Sequence, residues 1–265
     1  MLKIENISKT FLNGTINEKT VIKNLSLTIE EDDFITVIGG NGAGKTTLLN
    51  LISGVYPPDE GRITIDGIDI TNMPEYKRAE YLARVFQDPL KGTASDMTIL
   101  ENFALARRRG KKRGLAFGIV FGERDEYYQS IKRLNLGLEE RLDYQVGLLS
   151  GGQRQALTLM MATLNRPKLL LLDEHTAALD PKTSMNELNI TNEIVLENKI
   201  PTLMITHNMQ DAITYGNRLI MLHNGQIVLD IKGDEKKKLT VSDLIRKFEE
   251  TIGEEMNNDR LILSK

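Results

Sequence analysis

Gly39-Gly40-Asn41-Gly42-Ala43-Gly44-Lys45-Thr46 is the stretch of sequence from which the fold can be predicted. It matches the phosphate-loop pattern G-x-x-x-x-G-K-[ST]. The apolar run Phe34–Ile38 before it is typical of a buried strand, and the apolar residues at 48, 49 and 52 after it repeat at helical spacing. A strand, a glycine-rich turn and a helix in this order predict a nucleotide-binding α/β domain.

The residue types of this loop suit a bound polyphosphate. Its glycines let the backbone wrap the phosphates so that amide N–H groups point inward, and the following helix adds its positive N-terminal end. Lys45 is expected to reach the β- and γ-phosphates, and the Thr46 hydroxyl is expected to bind Mg²⁺. We therefore predict ATP and Mg²⁺ as cofactors.

The composition excludes several classes of protein. Of 265 residues, 40% are hydrophobic and 27% are charged, as in ordinary globular proteins. The absence of cysteine excludes disulfides, thiolate metal sites and cysteine nucleophiles. A net charge of −3 argues against a nucleic-acid partner. No apolar run approaches the roughly 18 residues that span a bilayer, so we expect contact with a membrane only through a partner.

Strand and helix patterns alternate along most of the chain and predict a mainly parallel core sheet. Strands are predicted near residues 21–29, 61–67, 168–172, 202–206 and 218–222, the last with a hairpin through Asn224-Gly225. We expect an N-terminal antiparallel β subdomain and an inserted helical subdomain at about 88–150. The predicted ATPase domain covers 1–230, and residues 231–265 are predicted to form a short tail with a helix around 242–250.

The inserted helical block carries one conspicuous charge run, Arg107-Arg108-Arg109-Gly110-Lys111-Lys112-Arg113. Such a run is typical of a solvated helix end. The alternative is contact with anionic lipid headgroups or with an acidic partner surface.

A second chemical motif is the pair of acids that follows four leucines at 169–172. A buried strand would deliver Asp173 to the carboxyl edge of the sheet, where ligands of open α/β sheets bind. Asp173 is expected to hold the Mg²⁺ shell. Glu174 is expected to polarise the attacking water as a general base.

The segment Leu149-Ser150-Gly151-Gly152-Gln153 makes the resemblance specific. Together with the phosphate loop and Asp173-Glu174, it resembles the nucleotide-binding subunit of ABC (ATP-binding cassette) ATPases over roughly residues 1–230. The resemblance implies the P-loop ABC ATPase fold and a head-to-tail dimer, in which this signature completes the ATP site of the partner subunit. Small residues at a helix start form a suitable anion seat.

The resemblance also implies roles for single residues. Gln87 matches the glutamine that contacts Mg²⁺ and the water, His207 the switch histidine at the γ-phosphate, Asp180 the D-loop aspartate at the dimer interface, and Phe11 the aromatic that stacks on adenine. The expected nucleotide contacts are Phe11, Gly39, Asn41, Gly42, Gly44, Lys45, Thr46, Thr47, Ser150, Gly151, Gly152, Gln153 and Asp180. The expected catalytic residues are Glu174, His207 and Gln87, and the expected metal ligands are Thr46, Gln87 and Asp173.

Three positions depart from the common family pattern. His175 stands where proline usually follows the glutamate, Gly40 replaces proline or serine, and Ala177 replaces serine. None of these changes removes a catalytic group. His175 is interpreted as relaxing the loop, and a second titratable group near the site is the alternative.

The resemblance implies an ATP-driven homodimer at the cytoplasmic face of the plasma membrane. A separate single-cassette chain of this size is similar to bacterial importers, which pair with integral-membrane permease subunits and a substrate-binding lipoprotein. The stretch Asp173-Glu174-His175-Thr176-Ala177-Ala178-Leu179-Asp180-Pro181-Lys182-Thr183, together with Gly92–Met97, resembles a bacterial importer subgroup with an amino-acid-type permease. We expect an aromatic amino acid such as tryptophan as cargo. The alternatives are a soluble assembly-factor ATPase, of the iron–sulfur type for example, and an exporter or lipoprotein-release cassette.

Overall fold

The computed structural model describes residues 1–111 and 118–252. Its strands are β1 (Leu2–Phe11), β2 (Lys19–Ile29), β3 (Phe34–Ile38), β4 (Glu60–Ile65), β5 (Ile68–Asp69), β6 (Leu82–Val85), β7 (Leu169–Asp173), β8 (Thr202–Ile205), β9 (Arg218–His223) and β10 (Gln226–Lys232). Its α-helices are α1 (Lys45–Ser53), α2 (Glu75–Arg78), α3 (Ile99–Arg107), α4 (Glu123–Lys132), α5 (Gly151–Thr163), α6 (Pro181–Asn198), α7 (Met209–Thr214), α8 (Asp234–Lys237) and α9 (Val241–Ile252).

The chain divides into two compact units. The first unit contains Met1–Arg78 and the described residues from Lys199 onward, and the second contains the described part of Ala79–Asn198. The predicted helical subdomain, 88–150, falls inside the second unit, which also includes two strands of its own. The mixture of antiparallel strands, parallel strands and helices confirms the predicted α/β fold class.

An antiparallel sheet in the order β2-β1-β4-β5 occupies the N-terminal part of the first unit. β1 lies in its middle, with Leu2 paired to Ile29 on one side and to Ile65 on the other. Leu2, Ile4 and Ile7 of β1 are buried. Burial of alternate residues on one face, as at Leu2 and Ile4, is what an antiparallel sheet with one covered face requires.

The other strands of the first unit surround β3, which pairs in parallel with β8 and with β9. All five residues of β3 are buried, as the continuous apolar run Phe34–Ile38 predicts. β10 returns antiparallel to β9 through Asn224 and Gly225, both with positive φ (47° and 81°). A two-residue turn of this kind needs left-handed backbone at both positions, which is why the Asn-Gly pair predicts the hairpin correctly.

A buried arginine closes the C-terminal end of α1. Arg78 is only 1% exposed, and its guanidinium donates to the carbonyl oxygens of Leu51 and Ile52 in the last turn of α1 and to those of Thr71 and Met73. Burial lowers the pKa of Arg78 to about 10, so the group remains charged at neutral pH. A cation at this end of a helix favourably meets both the unpaired carbonyls and the negative end of the helix dipole.

The described part of the tail packs on the first unit. Leu244 and Phe248 of α9 belong to a buried apolar cluster with Ile38, Leu219 and other residues of the unit. Lys236 is buried, and its ammonium donates to the carbonyl oxygens of Tyr215 and Gly216. The helix predicted around 242–250 is therefore present as α9, and it contributes to the core.

The second unit is built on the parallel pair β6 and β7, with helices α3 to α6 around it. β7 is buried along its whole length. The rings of Phe103 on α3 and Tyr127 on α4 contact each other at a centroid distance of 5.4 Å, and both side chains are fully buried. These aromatic residues form part of the core of the helical block.

The arginines of the basic run make contacts inside the second unit. Arg107 forms an ion pair with Glu126, and Arg108 forms one with Glu123 at 3.1 Å. Arg109 donates to the Ala162 carbonyl oxygen, and burial lowers its pKa. The first half of the run thus holds α3 to α4 and α5, which a solvated helix end would not do. Lys112 and Arg113 lie outside the described residues.

None of the helices in the described part of the chain combines the length and the apolar character that a membrane crossing needs.

Candidate functional site

The phosphate loop lies in the first unit, between β3 and α1. Its backbone has left-handed φ values at Gly39 (152°), Gly42 (78°) and Gly44 (104°). A Cβ at Gly39 would lie 2.2 Å from the carbonyl oxygen of Leu222 on β9. Glycine at this position is therefore required both by the backbone conformation and by the close approach of the neighbouring strand.

Lys45 folds its side chain back over this loop. Its Nζ donates to the carbonyl oxygens of Gly39 at 2.6 Å and Gly40 at 3.1 Å, and the residue is 8% exposed. Thr46 is exposed and Thr47 is half-buried at the start of α1. The ammonium is thus held beside the loop, where it can exchange carbonyl contacts for phosphate oxygens.

His207 lies at the same sheet edge as the loop. Ile205 of β8 pairs with Val37 of β3, and the Thr206 amide continues this pairing by donating to the Val37 carbonyl oxygen at 3.1 Å. His207 is therefore one residue beyond the paired end of β8, as the phosphate loop is beyond β3, and its side chain is exposed. Burial raises the pKa of Asp211, and its electrostatic interaction with His207 offsets part of that rise.

Phe11 is at the end of β1, in the same unit. Its ring meets the Tyr56 ring edge-on at a centroid distance of 5.3 Å, and the Lys9 ammonium lies 5.8 Å from its centroid. The residue is half-buried. The ring thus retains exposed surface, and its stacking on adenine remains a prediction.

The second unit places three other predicted residues together. Val85 of β6 pairs with Leu172 of β7, so Gln87, Asp173 and Glu174 lie at or just beyond the carboxyl ends of two neighbouring parallel strands. Gln87 is exposed, Asp173 is buried and Glu174 is half-buried. The amide oxygen and the two carboxylates are suitable groups for binding a cation and for accepting a proton from water.

Arg84 contacts this acidic edge. Its Nη2 donates to Oδ2 of Asp173 at 2.6 Å, and its guanidinium lies 4.8 Å from the ring centroid of Phe86. Both charged side chains are nearly buried, at 11% and 13% exposure. Arg84 thus fixes one oxygen of the carboxylate that we predict to be the metal ligand.

The signature segment begins α5. Ser150 Oγ accepts from the Gln153 amide at 3.3 Å, and Gln153 Oε1 accepts from the Ser150 amide at 3.2 Å, which forms a reciprocal capping box. A Cβ at Gly152 would lie 2.5 Å from Cγ2 of Thr183 on α6. The small residues of the signature therefore allow α6 to approach the start of α5 closely.

A pocket of about 350 Å³ lies beside the signature. Its lining includes Ser150, Gly151, Gly152, Gln153, Asp180 and Glu187. Asp180 accepts a hydrogen bond from the Thr183 amide at 3.1 Å, and its contacts with Thr183 lower its pKa. The second unit thus brings the predicted signature and D-loop residues together around one pocket, at the N-terminal end of a helix.

Two buried titratable groups belong to the same part of the second unit: His175, directly after Glu174, and Glu187, in the lining of the pocket. Burial lowers the pKa of His175 to about 4, so its imidazole is uncharged at neutral pH, which disfavours the alternative of a second titratable group beside Glu174. Burial raises the pKa of Glu187 to about 8, and its Oε1 has no hydrogen-bond partner in the described part of the chain. A protonated carboxyl is the form that such surroundings favour.

The amino-acid sequence matches the model of a known protein family. A family model described as "ABC transporter" matches residues 22–177, more than half of the chain. The chain belongs to the ABC transporter family. It is therefore an ATP-binding cassette, and it is an ATPase.

Curated relatives of the cassette are transport subunits. A tyrosine transport ATP-binding protein of Clostridioides difficile is 49% identical over 94% of this chain and 99% of the relative. A spermidine/putrescine import ATP-binding protein, PotA of Aggregatibacter actinomycetemcomitans, is 34% identical over 87% of this chain. The matched region is only 57% of the length of that second relative. The first similarity covers both proteins almost completely.

Solved cassettes share the fold. A dimeric post-hydrolysis structure of the ATP-binding cassette MJ0796 with bound ADP and Pi has a TM-score of 0.73 and 30% identity over 88% of this chain and 98% of that one. The ADP conformation of the cassette MJ1267 has a TM-score of 0.76 and 29% identity over 96% of this chain and 99% of that one. These similarities confirm the predicted P-loop ABC ATPase fold.

Sequence reasoning missed Arg84 and Glu187 as residues of the cassette's site. Arg84 interrupts an apolar strand two positions before Phe86, and Glu187 falls on the apolar face of α6, four residues before Thr191 and directly before Leu188. A charged residue at a position where the period requires an apolar one is the signal that could have found both.

Proposed function

We propose that the cassette is the ATP-hydrolysing subunit of an importer for an aromatic amino acid. The observation that carries the proposal is the 49% identity to a tyrosine transport ATP-binding protein over nearly the full length of both chains. The cassette would bind to separate permease subunits at the cytoplasmic face of the plasma membrane, and a substrate-binding lipoprotein would deliver the amino acid.

The proposed roles of the nucleotide-site residues are those that the resemblance to ABC ATPases implies. Lys45 would bind the β- and γ-phosphates, and Phe11 would stack on adenine. Glu174 would accept a proton from the attacking water, and His207 would contact the γ-phosphate. Adjacent parallel strand ends hold Gln87 next to Asp173-Glu174, and this placement supports a joint role at the water and the cation.

Mg²⁺ is the cation that these donors suit. The hydroxyl of Thr46, the side-chain oxygen of Gln87 and the carboxylate of Asp173 are hard oxygen ligands, which Mg²⁺ prefers. β7 presents Asp173 at its carboxyl end, with Oδ2 engaged by Arg84. The bound ion would neutralise charge that develops on the phosphates.

We further propose that two copies close head-to-tail on ATP. The pocket beside α5 supports this proposal, since Ser150 and Gly151 are exposed at a helix N-terminus where backbone amides favour an anion. The γ-phosphate held by the partner copy would occupy this position. Hydrolysis would remove that contact and let the dimer open.

A groove of about 470 Å³ is the proposed docking surface for the permease. Its lining includes Lys91, Thr93, Ala94 and Asn102. Asn102 accepts from the Ala94 amide at 2.8 Å and donates to the carbonyl oxygens of Ala94 and Thr98, which holds the loop before α3 in one shape. Gly92, Thr93, Ala94 and Asn102, which follow Gln87 in the chain, form one side of this groove.

The test measures solute uptake by cells of the source organism from which the gene for this chain has been deleted. Complementation with the wild type should restore uptake of labelled tyrosine or tryptophan, and Glu174→Gln should not. Glu193→Gln, an exposed change on α6, is the matched control and should restore uptake. Loss of spermidine uptake with normal aromatic amino acid uptake would contradict the cargo proposal. Normal uptake of every solute in the deletion strain would contradict the importer proposal.

A further inference from the structure

The backbone at Glu174 is strained. Glu174 has a φ of 46°, in the left-handed region that residues with a Cβ avoid. This conformation costs on the order of 1 kcal/mol or more, and it persists only where the surroundings hold it. β7 fixes the chain before Glu174, and on the other side the Ala177 amide donates to the Glu174 carbonyl oxygen at 3.0 Å.

A third restraint comes from His175, whose side chain is 2% exposed. Its Nε2 lies 3.2 Å from Oγ1 of Thr191 on α6. The Thr191 hydroxyl has a single hydrogen, which it donates to the Glu187 carbonyl oxygen at 2.8 Å. The Thr191 oxygen must therefore accept from His175, which places the imidazole proton on Nε2.

This bond joins the turn after β7 to the middle of α6. His175 follows Glu174 directly in the chain, so a fixed imidazole restrains the Cα atom at the far end of the planar peptide that follows the glutamate. Proline, which the family usually has at this position, restricts the same backbone through its ring. His175 restrains this backbone through a buried hydrogen bond instead, in which its Nε2 proton points to Oγ1 of Thr191.

We propose that His175 is a positioning residue for ATP hydrolysis: hydrogen-bonded to Thr191, it holds the left-handed turn at Glu174 and so aims the glutamate carboxylate at the attacking water. The inference rests on the proposed role of Glu174 as general base. A merely space-filling ring would make the same packing contacts without needing the Thr191 hydroxyl, and this difference is what the test measures.

The test compares steady-state ATPase kinetics of the full-length chain with Thr191→Val, Thr191→Ser, His175→Phe and the double variant His175→Phe/Thr191→Val. We expect Thr191→Val to lower kcat by about 10-fold or more while the KM for ATP stays within about twofold, because displaced catalytic groups lose rate rather than binding. Thr191→Ser keeps the hydroxyl and should retain kcat. The double variant should be no slower than the slower single variant, because both remove one bond.

Thr163→Val is the matched control. Thr163 is also a buried helical threonine whose hydroxyl bonds to a carbonyl four residues earlier, that of Leu159 at 3.0 Å. The Thr163→Val variant should keep the wild-type kcat. Thermal melting of Thr163→Val and Thr191→Val should show whether the two variants lose similar stability. An equal loss of kcat in Thr163→Val would overturn the proposal, because general loosening of the unit would then explain the effect.

The remaining outcomes separate this proposal from the role of Glu174. Wild-type kcat in Thr191→Val, with Glu174→Gln inactive, would overturn the positioning role and leave the general base in place. A lowered kcat in His175→Phe together with a wild-type kcat in Thr191→Val would also overturn the positioning role, because the shape of the ring and not the hydrogen bond would then matter. Wild-type turnover in Glu174→Gln would remove the general base itself, whatever the other variants do.

Discussion

Glu187→Gln should make the stability of the cassette less dependent on pH. Glu187 is 3% exposed, and burial raises its pKa from the ordinary 4.5 to about 8. In the unfolded chain the carboxyl ionises above pH 4.5, whereas in the folded protein it keeps its proton until about pH 8. Folding must therefore take up a proton within this window, so the free energy of unfolding falls as the pH rises from 4.5 to 8.

The size of the effect follows from the same two pKa values. Each pH unit well inside the window removes about 1.4 kcal/mol of stability, and this loss falls to half that value at pH 8, where the folded carboxyl is itself half ionised. Between pH 6 and pH 8 the wild type therefore loses about 2 kcal/mol through this group. Glutamine has nearly the same shape and does not titrate. The difference in unfolding free energy between Glu187→Gln and the wild type should therefore shift by about 2 kcal/mol in favour of the variant.

Urea unfolding followed by circular dichroism at pH 6 and pH 8 measures this difference. Glu193→Gln, an exposed change on the same helix, is the control, and its difference from the wild type should be nearly the same at both pH values. If the difference for Glu187→Gln were also constant from pH 6 to pH 8, the carboxyl would not be protonated in the folded protein. The reasoning from burial would then be wrong.

Three further changes test the nucleotide site. Lys45→Ala removes the ammonium that the Gly39 and Gly40 carbonyl oxygens hold over the loop. Because hydrogen bonds to charged groups contribute about 1.5–3 kcal/mol, we expect the affinity for ATP in a fluorescent-nucleotide titration to fall by about 10-fold or more. Unchanged affinity would contradict the role of Lys45. Glu174→Gln should bind ATP and elute as a dimer in size-exclusion chromatography with ATP, while turnover falls by at least about 100-fold; normal turnover would refute the general base. Gly39→Ala should unfold at a clearly lower temperature, because the new Cβ would lie 2.2 Å from the Leu222 carbonyl oxygen, and an unchanged melting temperature would show that β9 can move away.

Local patterns predicted much of the first unit from the sequence. The apolar run Phe34–Ile38 and the glycines that follow it predict β3 and the phosphate loop, and the Asn224-Gly225 pair predicts the hairpin. In each case the deciding pattern lies within a few residues of chain: a continuous apolar run, which is typical of a strand buried on both faces, or a pair of residues that accepts positive φ.

The contacts of Arg84, Glu187 and His175 were not predictable in the same way. Arg84 meets Asp173 across 89 positions of sequence, and His175 meets Thr191 on the following helix. Pairings of this kind depend on which elements pack together, and no periodicity encodes them. The sequence does show that His175 departs from the family pattern, but only its burial and its hydrogen bond show what the departure does.

The buried guanidinium of Arg78 has a mechanical consequence. Arg78 is the last residue of the first of the two chain segments that form the first unit, and the second unit begins at the next residue, Ala79. α1, about 13 Å long, starts at the phosphate loop and ends at the carbonyls that Arg78 grips. A force that acts on the chain at residue 79 is therefore borne by the far end of the helix that carries Lys45. The chain therefore leaves the first unit at a residue that is hydrogen-bonded to α1, and a small movement of α1 would also move Arg78.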